Sequence, residues 1–148
     1  MSTFLENKKI YFDYEILETM EAGLELRGWE VKSLKTKGGS LAGGHVIVRG
    51  NEVFLVGLDI PPYQPLNMPK DFEKQRTIKL LIQKKEINHL EERAKEKRLT
   101  IVPLRLYTKS GKIKLEIALV RGKKKFEKRE KIKKRETDRN IERLMKRG

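Results

Sequence analysis

The segment "LTIVPLRLYTKSGKIKLEIALV" (residues 99–120) constrains the fold more than any other stretch. Its second arm alternates without a lapse. Ile113, Leu115, Ile117 and Leu119 fall on one face, Lys114 and Glu116 on the other, which is the period of a strand with one buried side. Lys109, Ser110, Gly111 and Lys112 supply a turn, so the stretch predicts a long antiparallel hairpin. Pro103 has no N–H for the ladder and belongs at an edge or a bulge.

Other segments extend this pattern. "YFDYEILETMEAGLEL" (11–26) reads as a strand, with Gly23 placed for a bend or bulge. "HVIVRGNEVFLVGL" (45–58) holds two short apolar runs around "RGNE", a second hairpin, and "IKLLI" (78–82) suits a strand. Two helices interrupt the strands. In "GWEVKSLK" (28–35) Val31 and Leu34 fall three apart, and in "KKEINHLEERAKEKR" (84–98) Ile87, Leu90 and Ala94 share one stripe. "DIPPYQPLNMPKDFEKQ" (59–75) carries four of the five prolines and reads as a long loop. The expected class is mainly β with inserted helices, best met by an OB-type antiparallel β-barrel. An SH3-like barrel or an α+β sandwich satisfies the same periodicity.

Charge then divides the chain. Residues 121–148 hold 14 Lys/Arg against 5 Asp/Glu, while the first 120 hold 21 against 16, so a short end carries most of the net +14. The implied organisation is a barrel domain over 1–121 and a basic C-terminal tail over 122–148. That imbalance calls for a polyanionic partner, nucleic acid or an acidic membrane. Ile141, Leu144 and Met145 form an apolar patch at helical spacing, only three residues wide and without Trp, too little for a membrane anchor. RNA is the preferred partner, and no membrane role is expected. Phe126 interrupts the lysines where an aromatic ring could stack on a base. A helix so crowded with like charge is marginal alone, so the tail is expected to be disordered when free and helical when bound.

Little in the chain suggests catalysis. It has no cysteine, hence no disulfide or thiolate metal site. His45 and His89 stand apart, without ligand partners at metal spacing. Adjacent Glu91 and Glu92 diverge by ~100° on a helix and cannot converge as an acid and base. Ser33, Ser40 and Ser110 lack a nucleophile context. The expectation is a non-enzymatic protein with no cofactor, no metal and no catalytic residue. "KGGSLAGG" (37–44) lacks the spacing of a phosphate loop; it reads most simply as a helix–strand connection, less simply as a backbone surface against phosphate. The start, "MSTFLENKKI", shows no signal-peptide core, and the longest apolar run, "VFLVGL" (53–58), cannot span a bilayer. A cytoplasmic location follows as an expectation.

Three stretches, "NKKIYFDYEILETMEAGLELRGWEVKSLKTKGGSL", "RTIKLLIQKKEI" and "RGKKKFEKREKIKKRE", resemble the SsrA-binding protein family, also called small protein B, from residue 7 to residue 146. "EAGLELRGWEVKSL" is the most specific. The resemblance implies an OB-type barrel that binds the tRNA-like domain of transfer-messenger RNA. It also implies a tail that reaches the decoding centre and mRNA channel of a stalled ribosome, for trans-translation by a monomer. Carried over by position, Asn7, Glu21, Leu81 and Lys114 are the implied RNA-binding residues of the barrel, and Lys8 and Lys79 are expected to bind RNA beside them. Gly122, Lys123, Lys124, Leu144 and Met145 are the implied ribosome-facing residues, and Lys125 and Phe126 are expected among them. A carboxylate such as Glu21 suits RNA only as an acceptor from base N–H groups. The chain departs from the family pattern at Ile78, where a relative carries arginine, at Phe126, Thr137 and the Gly43–Gly44 pair.

Overall fold

The long hairpin is present, and the remaining strands close a ring around its apolar face. The computed structural model describes residues 2–64, 66, 68 and 75–123. The elements in chain order are β1 (Ser2–Glu6), α1 (Lys9–Asp13), β2 (Tyr14–Leu24), α2 (Gly28–Thr36), β3 (His45–Arg49), β4 (Glu52–Val56), β5 (Ile78–Leu81), α3 (Lys84–Ala94), β6 (Leu99–Lys109) and β7 (Lys112–Gly122). All pairings are antiparallel. The order β6-β3-β4-β5-β2-β7 returns to β6, which closes the expected OB-type barrel, and β1 adds to β6. Both tight turns place two residues in the left-handed region, Gly50–Asn51 and Ser110–Gly111, the geometry that matches strand twist.

The alternation in β7 holds along its length. Leu115, Ile117 and Leu119 enter the main core, beside Leu55, Ile78, Leu80 and Leu106 and under Leu34 of α2 and Leu90 of α3. On the opposite face Ala118 and Val120 join a second, smaller core with Val102, Leu104 and Ile10 of α1. β2 and β6 serve both cores because each carries one extra residue. Ile16 pairs with Val120 and Glu18 with Leu119, leaving Leu17 between; Pro103 pairs with Ile117 and Arg105 with Glu116, leaving Leu104 between. Each extra residue turns the strand over, so Ile16 faces α1 while Met20 and Ala22 face the barrel interior. Pro103 thus sits at a bulge.

Three sequence expectations change. Residues 11–13 are helical rather than strand, because a single turn brings Ile10 down onto the second core. Gly23 lies in regular pairing with Leu81 and Lys114, so the irregularity of β2 is at Leu17 and not at the glycine. The helix expected over 84–98 ends at Ala94, which is exposed; Arg98, at φ 69°, turns the chain into β6.

The glycine-rich connection is explained by close packing. A Cβ on Gly39 would stand 2.5 Å from the Asp59 carbonyl oxygen, beside the backbone bridge that Ser40 and Asp59 form. Gly57, at φ +90°, would place a Cβ 3.0 Å from the Gly44 Cα. These glycines let two backbone segments touch. α2 holds the proline-rich loop at both ends. Ser33 Oγ donates to the Pro61 carbonyl at 2.5 Å and Lys37 Nζ to that of Pro62 at 2.9 Å. At the other end Arg76 grips Glu30 through two bonds, at 2.8 and 2.6 Å. No described helix is long and apolar enough to cross a membrane.

Candidate RNA-binding surface

Strand register assembles a continuous outer face on β5, β2, β7 and β6. Leu81 pairs with Gly23, Gly23 with Lys114 and Lys114 with Tyr107, one row across four strands. In the next outward row Glu21 pairs with Glu116 and Glu116 with Arg105. The fold thus brings Glu21, Leu81 and Lys114 together from positions up to 93 residues apart in sequence. Lys79 shares the outward side of β5 with Leu81, and its ammonium lies 3.4 Å from Glu52. Leu81 is 51% exposed, a large apolar side chain left on a polar face.

Glu21 is held in place. Its Oε2 accepts from the Tyr107 hydroxyl at 2.5 Å and from Lys109 Nζ at 3.4 Å. Among the described residues no donor reaches Oε1. Arg105 lies 4.5 Å over the Tyr107 ring, and also bonds Glu116 at 3.3 Å and the Thr3 hydroxyl at 2.8 Å. The Tyr107 hydrogen bond, with help from Lys109 and Lys114, holds the Glu21 carboxyl below the usual glutamate value; burial, and then the bond to Glu21, push the Tyr107 hydroxyl well above its own. The stabilisation from this bond is present above the ordinary glutamate pKa and is lost as pH falls through the lowered one. Tyr107→Phe is therefore expected to return the Glu21 titration toward its ordinary value, with the stability difference from wild type visible at pH 7 and closing below about pH 4. A carboxyl-carbon NMR titration measures this directly; an unmoved Glu21 midpoint in Tyr107→Phe would refute the assignment.

The other positions separate into distinct places. Asn7 is buried, and its amide nitrogen donates to the carbonyls of Leu41 (3.3 Å) and Pro103 (3.4 Å). Its N–H groups hold the glycine connection against β6, while Lys8 beside it is exposed. Ile78 is fully buried in the main core, so its side chain makes no surface contact. Gly122 and Lys123 are fastened to the barrel. The Gly122 N–H donates to the Arg98 carbonyl (3.3 Å) and the Arg98 guanidinium to the Gly122 carbonyl (2.7 Å). Lys123 donates from its N–H to Asp13 (3.1 Å) and from Nζ to the Tyr11 carbonyl (3.3 Å). Lys124, Lys125, Phe126, Thr137, Leu144 and Met145 lie outside the described residues.

The histidines stand apart in the structure as well. His45 opens β3 and is exposed. His89 is on the exposed side of α3, where its Nε2 meets Glu18 Oε2 at 2.6 Å. Among the described residues no group of three or more His, Asp or Glu side chains could hold a metal ion. Tyr107, Lys109 and Arg105 were not singled out in the sequence. The signal that would have found them is the parity change at Leu104, which makes 105, 107 and 109 the outward positions of β6.

Comparison with known proteins identifies the family. A family profile described as SmpB protein matches residues 4–147. The SsrA-binding protein of Thermosipho africanus is 47% identical over 100% of this chain and 99% of its own, and that of Rubrobacter xylanophilus 47% over 99% and 97%. The SsrA-binding protein of Mesoplasma florum reaches 50% over 90% of this chain and 89% of its own. A solved chain described as "tmRNA-SmpB: a journey to the center of the bacterial ribosome" superposes with a TM-score of 0.67 at 39% identity, covering 82% of this chain and 85% of that one. Since the match begins in β1, runs through every strand of the barrel and continues into the basic end, the chain belongs to the SmpB protein family.

Proposed function

We propose that this chain is an RNA-binding adaptor that takes the tRNA-like domain of transfer-messenger RNA on the outer face of its barrel and delivers it to stalled ribosomes for trans-translation. The observation that carries the reading is the full-length likeness to SsrA-binding proteins together with a solved relative described as tmRNA-SmpB in the ribosome. The charge pattern supports it, since a moderately basic barrel followed by a strongly cationic end suits two successive polyanionic partners. In this reading Glu21, Leu81 and Lys114 meet the RNA directly, Lys8 and Lys79 neutralise phosphate, and Asn7 shapes the adjoining loop. Gly122 and Lys123 start a ribosome-facing segment that includes Lys124, Lys125, Phe126, Leu144 and Met145. The protein works in the cytoplasm as a monomer, catalyses nothing itself and needs no cofactor.

Titration of the purified chain with labelled tRNA-like domain and with ribosomal RNA fragments of equal length, at one salt concentration, tests this. Selective binding of the tRNA-like domain is expected, by at least the ~10³-fold typical of specific over non-specific nucleic-acid recognition. Equal binding of both would instead mark a general ribosomal RNA binder.

A further inference from the structure

At one end of the outer face, beside the Leu81–Gly23–Lys114 row, β2, α2, β5 and the β6–β7 turn enclose a groove of about 330 Å³. Its apolar lining includes Leu24, Leu26, Val31 and Leu81. Gly23 keeps it open, because a Cβ there would stand 3.2 Å from the Leu81 Cβ. Three lysines from separate places rim it: Lys35 from the last turn of α2, Lys112 from the turn and Lys114 from β7. No carboxylate is among the lining residues.

Some lysines elsewhere on the surface stand beside acids, as Lys79 does with Glu52, Lys95 with Glu92 and Lys109 with Glu21. Lys35, Lys112 and Lys114 have no ion-pair partner among the described residues. Lys112 and Lys114 are two apart on one strand and so share a side, where like charges repel. Lys114 supports the Glu21 carboxylate, but no side-chain hydrogen bond or ion pair among the described residues gives Lys35 or Lys112 a part in the fold. A ligand with an apolar face and a negative backbone gains from both the lysines and the apolar lining.

We propose that this groove holds one unstacked nucleotide of the bound RNA, its base against Leu26, Val31 and Leu81 and its flanking phosphates between Lys35, Lys112 and Lys114. The proposal rests on the transfer-messenger RNA reading above and adds Lys35, Lys112, Leu26 and Val31 to it. A volume near the lower limit of small-ligand pockets admits a single splayed nucleotide and excludes a duplex. Recognition is by shape and charge, without a fixed donor for any base edge, so the groove accepts different bases.

The test is the salt dependence of affinity for full-length transfer-messenger RNA, measured on the intact protein. Lys35→Ala and Lys112→Ala are each expected to weaken binding and to lower the slope of log K against log salt by about 1. Val31→Ala is expected to weaken binding while leaving the slope unchanged, since it removes apolar contact and no charge. Circular dichroism confirms that each variant is folded. If Lys114→Ala lowers the slope and Lys35→Ala and Lys112→Ala do not, the RNA bypasses the groove and this inference fails while the functional reading stands. If the wild-type chain does not prefer transfer-messenger RNA, both fall.

Discussion

Arg76→Ala is expected to destabilise the protein by about 3–5 kcal/mol, the usual cost of stranding a buried charge. Glu30 is 0% exposed, and its carboxylate is satisfied by three donors: the Arg27 backbone N–H at 2.6 Å and the Arg76 fork at 2.6 and 2.8 Å. Removing Arg76 leaves that carboxylate in the interior with a single bond. Such a loss is a large share of a total that is typically about 5–15 kcal/mol for a domain. Arg76→Lys should recover little, because an ammonium cannot make the paired bonds of a guanidinium. A double replacement, Glu30→Leu with Arg76→Met, should recover most of the loss, since apolar residues of similar volume often substitute for a buried ion pair without penalty. Urea unfolding of the four proteins decides it. A loss under about 1 kcal/mol for Arg76→Ala would mean the pair is solvated.

The second large effect concerns the cationic end. A chain cut after Lys123 is expected to keep its selective grip on transfer-messenger RNA and to lose tagging on stalled ribosomes entirely. The cut removes twelve basic and five acidic residues and lowers the net charge from +14 to +7, while every strand of the barrel and the outer face remains. Cutting at Val120 would confound the result. β7 continues to Gly122, and the bonds from Gly122 and Lys123 to Arg98, Tyr11 and Asp13 tie that end to α1 and to the turn that leads into β6. Binding and single-turnover tagging, measured on the same preparation, separate the two roles. Retained tagging in the shortened chain, or abolished RNA selectivity, would overturn the division of labour.

What could be read from the sequence, and what could not, follows the range of the interactions. The two hairpins were legible because period-two alternation and short turn residues are local signals, and so was the break in charge at Gly122. α1 was not, since a five-residue helix has too few positions to show a period and forms only because Ile10 finds a second core. Leu17 and Leu104 look like ordinary strand residues; only pairing with β7 reveals that they are extra. The glycines of residues 37–44 advertised a backbone constraint but not its cause, which is the Asp59 carbonyl on another segment. Glu30 and Arg76 are 46 residues apart, so nothing local announced their union. In the candidate site, family resemblance pointed to Glu21, Leu81 and Lys114. Their convergence, and the part of Tyr107 in fixing Glu21, depend on register across four strands.

Leu17 and Leu104 act as half-period phase shifts, and they limit how this protein can change length. Deleting either would bring the flanking halves into one phase, turning a lipophilic row outward and a charged row into the core over the rest of that strand. Gaining or losing a residue in the connection between β4 and β5 inverts nothing. Length variation among related chains should therefore accumulate in that connection and be almost absent from β2 and β6.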